Sequence, residues 1–432
     1  MWESKINVNQ IVEIRTRTLC YLGVGALQKI DEIADWMQKQ GIDKVLVVTD
    51  KIVYKVTGVW DILEPVLKKR NIAYALFDEV VPNPTVDGID RAAQIGKQIG
   101  AKAVIGIGGG SPIDTAKSAA VLLYPDYAQR SARDLYTFKF AAEKAVPIIA
   151  INTTHGTGTE VDRFAVASIP DLEYKPALVS EAIYPTFAID DPAIMAKLPA
   201  NQTRYTAIDS VNHVTEACTS LATSPYTVMM GIETIRLVAR YLPQAVAHPD
   251  DLAARYYLLY ASMIAGICFD NGLLHFTHAL EHPLSAVKPD LAHGLGLAIL
   301  LPAVIRHIYP AVPEILAKLY EPIVPGLLGV PGEAAECAIG VEEWLYAIGI
   351  TQKLEDLGYT EADVDKCAQL AFTTPSLDVL LSMAPIEATK QVVHDIYHES
   401  LSLLSCTCAD AGRIPASQVE QRQAGSAGSL LQ

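Results

Sequence analysis

The sequence is poor in charge and in aromatic residues. Of 432 residues only 19% are charged and 7% aromatic, while 50% are hydrophobic. So apolar a chain is not disordered, and its length suits two domains rather than one core. Positive charge is the scarcer sign: 34 lysines and arginines face 49 acidic residues, a net charge of −15. The one short basic run, Lys68-Lys69-Arg70, reads as the solvated end of a helix, and a surface of this sign repels nucleic acid and anionic membranes. Long hydrophobic runs are missing as well. The longest, at 295–305, is too short for a bilayer and contains Pro302, and the N-terminus has no apolar segment of the signal-peptide kind. Seven cysteines scattered from Cys20 to Cys408 make no disulfide framework and fit a reducing cytoplasm. Cys406 and Cys408 lack the second pair that zinc needs and read as two exposed or loosely ordered thiols. No internal repeat is found.

What is present alternates. Apolar runs at 44–50, 73–78, 103–107 and 147–152 read as buried strands, and residues 25–39, 86–100 and 112–122 show helical spacing. This pattern implies a parallel sheet with right-handed crossovers that binds its ligand at the strands' carboxyl ends. After Ala188–Pro192 the strand candidates stop, and helical patterns run to about residue 404. We therefore expect an α/β dinucleotide-binding domain over 1–192, an all-helical domain over 193–404, and a weakly ordered polar tail over 405–432.

Three signals lie at the strand ends. Asp50 could accept hydrogen bonds from ribose hydroxyls, or could simply form a turn. Gly108, Gly109 and Gly110 precede Ser111, read as a helix N-cap with Pro112 at N1 and Asp114 at N3. Free N–H groups and the helix dipole there suit a pyrophosphate, although the turn is not G-x-G-x-x-G and a tight strand-to-helix turn explains it equally well. Thr153, Thr154, Thr157 and Thr159 make a hydroxyl-rich loop with Gly156 and Gly158.

The densest chemistry comes later. Asp209 and His213 are four apart, which on a helix places them on one face. His275, His278, His282 and His293 crowd one short stretch. A carboxylate with several imidazoles is a ligand set for a divalent metal of the iron, zinc or manganese kind. Spacing does not choose among His275, His278 and His282, which share roughly one face. His155, His248, His307, His394 and His398 read as structural or surface residues.

In this order, V-V-P-N-P-T at 80–85, G-G-G-S-P-I-D-T-A-K at 108–117, T-T-H-G-T-G-T-E-V at 153–161, I-D-S-V-N-H at 208–213, H-A-L-E-H-P-L at 278–284 and His293-Gly294 resemble the iron-containing (group III) alcohol dehydrogenases from about residue 10 to 404. The resemblance implies an N-terminal dinucleotide-binding α/β domain, a C-terminal helical domain and a site in the cleft between them. It implies metal ligation by Asp209, His213, His278 and His293, with His282 close by in proton relay and Phe164 and Phe269 lining the substrate pocket. It assigns pyrophosphate contact to Gly109, Gly110 and Ser111, with Asp114 nearby, and further cofactor positions to Asn83, Thr153, Thr154 and Lys175. Asp50 matches the position that selects NAD over NADP. The implied cofactors are NAD and a divalent metal, Fe2+ first, with Zn2+, Mn2+ and Ni2+ open. The implied protein is a cytoplasmic homodimer or higher homo-oligomer acting on a small alcohol or aldehyde.

The chain departs from the family pattern at His155, where alanine is usual, at Asp162, where a threonine contacts cofactor, and at Ser285, where glycine is common. His278 and His293 are also fifteen apart rather than fourteen. Two relatives of the same architecture, dehydroquinate-synthase-like and glycerol-dehydrogenase-like enzymes, are the alternatives. The first needs a cationic pocket, which Phe164 and Phe269 do not suggest. A silent nucleotide-binding or filament-forming protein would not need the ligand positions.

Overall fold

The computed structural model describes residues 2–6 and 11–404; the expected tail over 405–432, with Cys406 and Cys408, lies outside them. Strands β1 (Leu19–Leu22), β2 (Lys44–Val48), β3 (Ala73–Phe77), β4 (Ala103–Gly108), β5 (Ile148–Asn152) and β8 (Phe187–Asp190) form one parallel sheet in the order β1-β8-β5-β4-β2-β3. Alternate residues of each strand feed opposite cores. Leu46, Val48 and Val104 pack against the Val86–Ile99 and Gly110–Leu122 helices. Val45, Val47 and Ile105 pack against the Ile30–Lys39 and Val59–Lys69 helices. A sheet covered on both faces needs strands apolar on both, which is why β2, β3, β4 and β5 read as apolar runs; β1 and β8, four residues each, were not read as strands. The strand order reverses between β2 and β4, so their carboxyl ends open a crevice.

Strands β6 (Phe164–Val166) and β7 (Ala177–Val179) pair antiparallel beside this sheet, a hairpin the sequence did not announce. After β8 every regular element among the described residues is helical. The Ala200–Thr219 helix lies at the centre, packed by the Pro225–Ala247, Leu252–Gly272 and His293–Ile308 helices over a second large core. Two helical segments, Leu252–Gly272 and His293–Ala311, are long and apolar enough to cross a membrane. They pack inside this core, with 61% and 78% of their apolar windows buried. A helix apolar all round is placed in this way in the core of a large protein.

Candidate metal and dinucleotide site

A cleft of about 1680 Å³ runs between the sheet's carboxyl edge and the helical region. Every candidate residue except Thr153 and His275 lines it: Asp50, Asn83, Gly109, Gly110, Ser111, Asp114, Thr154, Asp162, Phe164 and Lys175 on one side, and Asp209, His213, Phe269, His278, His282 and His293 on the other.

On the helical side, the Ala200–Thr219 helix presents Asp209 and His213 one turn apart, and the Phe276–Val287 helix presents His278 and His282. His293 opens the next helix. Asp209 Oδ1 lies 3.3 Å from His213 Nε2 and 3.4 Å from His278 Nε2. Asp209, His278 and His293 each offer a ligand atom within 4.8 Å of the others. Donors about 3.4 Å apart are what a tetrahedral shell of radius about 2.1 Å requires. Asp209 Oδ1 and His278 Nε2 are buried without a hydrogen-bond partner among the described residues, so this pair fits a divalent cation.

Charge favours the same arrangement. Burial raises the Asp209 carboxyl, but His213, His278 and His293 together hold it below its usual value. Burial drives His213 down to about 4, leaving a neutral imidazole able to ligate, although Asp209 pulls the other way. His278 moves up to about 9: burial opposes its charge, and Glu216 and Asp209 outweigh burial, so its Nε2 proton must leave before that nitrogen can ligate. Burial, joined by Lys175, holds His282 well below the usual imidazole range.

Two buried carboxylates behind these histidines carried no role in the sequence reading, although Glu281 lies inside the quoted 278–284 motif. Glu216 accepts the Nδ1–H of His278 as well as the backbone N–H of Thr277 and His278, and its pKa falls to about 2 because His278 and His275 outweigh its burial. Glu281 accepts the Nδ1–H of His293. His282 donates its Nδ1–H to the Lys175 carbonyl at 2.8 Å. Each of these three imidazoles therefore points its Nε2 lone pair away from its anchor, as orienting partners behind metal-bound histidines do. His275 is excluded: it caps its helix by accepting Phe276 N–H and bonds Thr219 at 2.9 Å, fully buried. Phe269 stacks on His213 with centroids 4.4 Å apart, and Phe164 lies 5.4 Å from Phe269.

On the sheet side, one expectation is corrected. Ser111 is not the N-cap: the helix begins at Gly110, Gly109 takes the cap position, and no side chain caps it. Gly108 has a φ of 150°, which favours glycine, and a Cβ on Gly109 would come within 2.7 Å of the Thr154 side chain. The close approach of the 153–159 loop selects glycine over a capping side chain, which leaves the first-turn N–H groups for an anion. Thr154 faces the cleft, whereas Thr153 is buried with its N–H on the Gly108 carbonyl.

Asp114 accepts Thr159 Oγ1 at 2.7 Å and Val166 N–H at 2.9 Å, bracing the loop. Asp162 is 1% exposed and bonded to Lys117 Nζ at 2.8 Å. Burial pushes its carboxyl up to about 7 while Lys117 pulls it back. Its charge is thus matched internally by Lys117. Lys117, fully buried, also donates to Thr159 and to the Asp162 and Phe164 carbonyls; its only sequence signal was its place as the last residue of the glycine motif at 108–117. Asp50 Oδ1 accepts the N–H groups of Ile52 and Val53, both at 2.8 Å, so it forms a turn while lining the cleft. Asn83 spans the cleft, donating to the carbonyls of Pro289 at 2.9 Å and Leu291 at 3.3 Å, inside the lengthened 278–293 connection. His155, 0% exposed, accepts Arg255 Nη1 at 2.9 Å.

The model of the iron-containing alcohol dehydrogenases matches residues 19–192, and that of the Fe-containing alcohol dehydrogenase family C-terminal region matches residues 203–401. The long-chain primary alcohol dehydrogenase AdhA of Thermoanaerobacter ethanolicus is 60% identical over 400 residues, covering 93% of this chain and 100% of its own. The NAD-dependent methanol dehydrogenase of Bacillus methanolicus is 30% identical over 384 residues, 88% of this chain and 97% of its own. Among solved structures, the NADH-dependent butanol dehydrogenase A of Thermotoga maritima superposes with a TM-score of 0.82 at 28% identity, covering 91% of this chain and 99% of that one.

Proposed function

The chain belongs to the iron-containing alcohol dehydrogenase family, and from that premise we propose how its own residues divide the work. It is a metal-dependent oxidoreductase that moves a hydride between a primary alcohol, or its aldehyde, and NAD(H). Asp209, His213, His278 and His293 hold the divalent metal. The observation that carries this reading is the convergence of Asp209 Oδ1 and His278 Nε2, both buried and unpartnered, on one point of the cleft wall beside His293. When bound, the metal supplies Lewis acidity to the alcohol or carbonyl oxygen. His282, neutral at rest, takes the substrate's proton on Nε2 and gives it up to water in the cleft, while its Nδ1–H stays on the Lys175 carbonyl. Phe269 and Phe164 exclude water beside the donors and favour an apolar substrate over an acidic one.

Across the cleft, the N–H groups at Gly109, Gly110 and Ser111 take the pyrophosphate and Asp50 the adenosine ribose. The protein thereby supplies alignment, and the cofactor the redox chemistry. The substrate is a long-chain primary alcohol. The 60% identical relative is named for that class, and the cleft mouth carries Phe138, Val179 and Val379, each about half exposed, able to cover an alkyl tail.

The two parts are domains with a boundary between about 188 and 200, supported by the loss of strands after Asp190. A homo-oligomer is supported by exposed Leu19 on the edge strand β1 and by exposed Ile11 and Ile14 in the segment before it. Cytoplasmic residence is supported by five unpaired cysteines among the described residues.

The test combines defined metal loading with an alcohol and aldehyde series read with NAD(H). kcat/KM should rise with chain length from ethanol to octanol. His278→Ala should lose metal and turnover together, while His282→Ala keeps metal and slows turnover. Full metal content in His278→Ala would overturn the ligand assignment.

A further inference from the structure

Glu281 lies on the Phe276–Val287 helix one residue before His282 and has no exposed surface. A carboxylate so placed persists only where partners offset its desolvation. Its partners come from both sides of the cleft and share one atom. Oε2 accepts the Nδ1–H of His293, and it also faces Lys175 Nζ at 3.3 Å. Oε1 has no hydrogen-bond partner among the described residues. Lys175, in the β6–β7 connection, is held a second time by Ser285 Oγ at 2.8 Å and a third through its carbonyl by His282. The packing leaves room for this carboxylate: a Cβ on Gly296 would come within 2.8 Å of Glu281 Cγ and 3.2 Å of Oε1. Ser285 and Gly296 are thus both fitted around the Glu281–Lys175 pair.

We propose that Glu281 is a positioning residue that sets both halves of the site with a single oxygen: it fixes the tautomer and rotation of His293 for the metal, and it anchors Lys175 on the cofactor side. The proposal rests on His293 being a metal ligand. Accepting Nδ1–H commits the imidazole to presenting Nε2, and a ring without that acceptor is free to turn and to offer either nitrogen. Holding Lys175 by its ammonium and its carbonyl fixes the hairpin connection against the metal-bearing helix.

Metal affinity by chelator competition tests it, with folding followed by circular dichroism and NADH affinity by fluorescence titration of metal-free protein. His293→Ala should retain no metal. Glu281→Ala should bind metal about 10- to 100-fold more weakly, the range seen when an orienting partner of a ligand is removed. Glu281→Gln, which keeps an oxygen for the Nδ1–H, should lose less than Glu281→Ala, and both should weaken NADH binding by freeing Lys175. Leu284→Ala, a buried apolar truncation on the same helix, should keep wild-type metal affinity. Wild-type metal affinity in Glu281→Ala, with His293→Ala metal-free, overturns the inference alone, as does an equal loss in Leu284→Ala. Unchanged NADH affinity in both Glu281 variants overturns the Lys175 half. Metal retained by His293→Ala overturns the ligand reading beneath it.

Discussion

Asp50 holds a turn and is proposed also to meet the adenosine ribose, so the choice of substitution decides what is learned. Oδ1 holds the turn through Ile52 and Val53, and glycine there would remove a turn as well as a charge. Asp50→Asn keeps the acceptor and removes only the charge. A like-charge contact with a 2′-phosphate costs several kcal/mol, so the NADPH-to-NADH ratio of kcat/KM should rise at least about tenfold. An unchanged ratio in steady-state kinetics would leave Asp50 as a turn residue. His155 gives a pH-dependent counterpart. Burial and the Arg255 cation lower its pKa from 6.5 to about 3. The unfolded chain takes up this proton near pH 6.5 and the folded chain only near 3. The stability from the neutral ring is therefore complete above 6.5 and is lost as pH falls through that window. Denaturant midpoints should fall less steeply between pH 7 and 4 in His155→Gln, and identical slopes would refute this. The four proposed metal donors were legible because helical spacing and motif order mark them. Glu216, Glu281 and Lys117 were not, because their partners come from other elements and only packing reveals a carboxylate's second role.

The Gly110–Leu122 helix shows at the element scale how a local rule yields to its surroundings. Serine is the better capping residue, and read alone Ser111 belongs at the cap. Contact with Thr154 and the positive φ of Gly108 move the cap to Gly109 instead. Gly109→Ala should force that loop outward and weaken NADH binding about tenfold, by the 1–3 kcal/mol of an overpacked contact, with metal content unchanged. Fluorescence titration and metal analysis check it, and equal loss of both ligands would show general damage. The long parallel strands were legible from their apolar runs. The β6–β7 hairpin was not: three residues a strand are too few to display a period, although this hairpin carries Phe164 and connects through Lys175.

At the scale of the molecule, the change from strand–helix alternation to helices alone was legible because it persists for some 200 residues. How the two halves meet was not, since every tie joins residues far apart in sequence, Asn83 to Leu291 and Lys175 to Glu281 among them. One such tie is made by backbone alone. Gly158, in the threonine-rich loop, sits so close to Gly266 of the Leu252–Gly272 helix that a Cβ on it would fall 2.4 Å from the Gly266 Cα. Beside it, Arg255 reaches His155 in the loop and Thr203 and the Pro249 carbonyl in the helical half. Neither half can melt without exposing the other's glycine or stranding this guanidinium. Scanning calorimetry should therefore record one heat-absorption peak whose van't Hoff and calorimetric enthalpies agree, and two separated peaks would refute it. In kinetic terms we expect a single barrier: once the two halves part, the whole chain opens, and irreversible thermal inactivation should follow one rate.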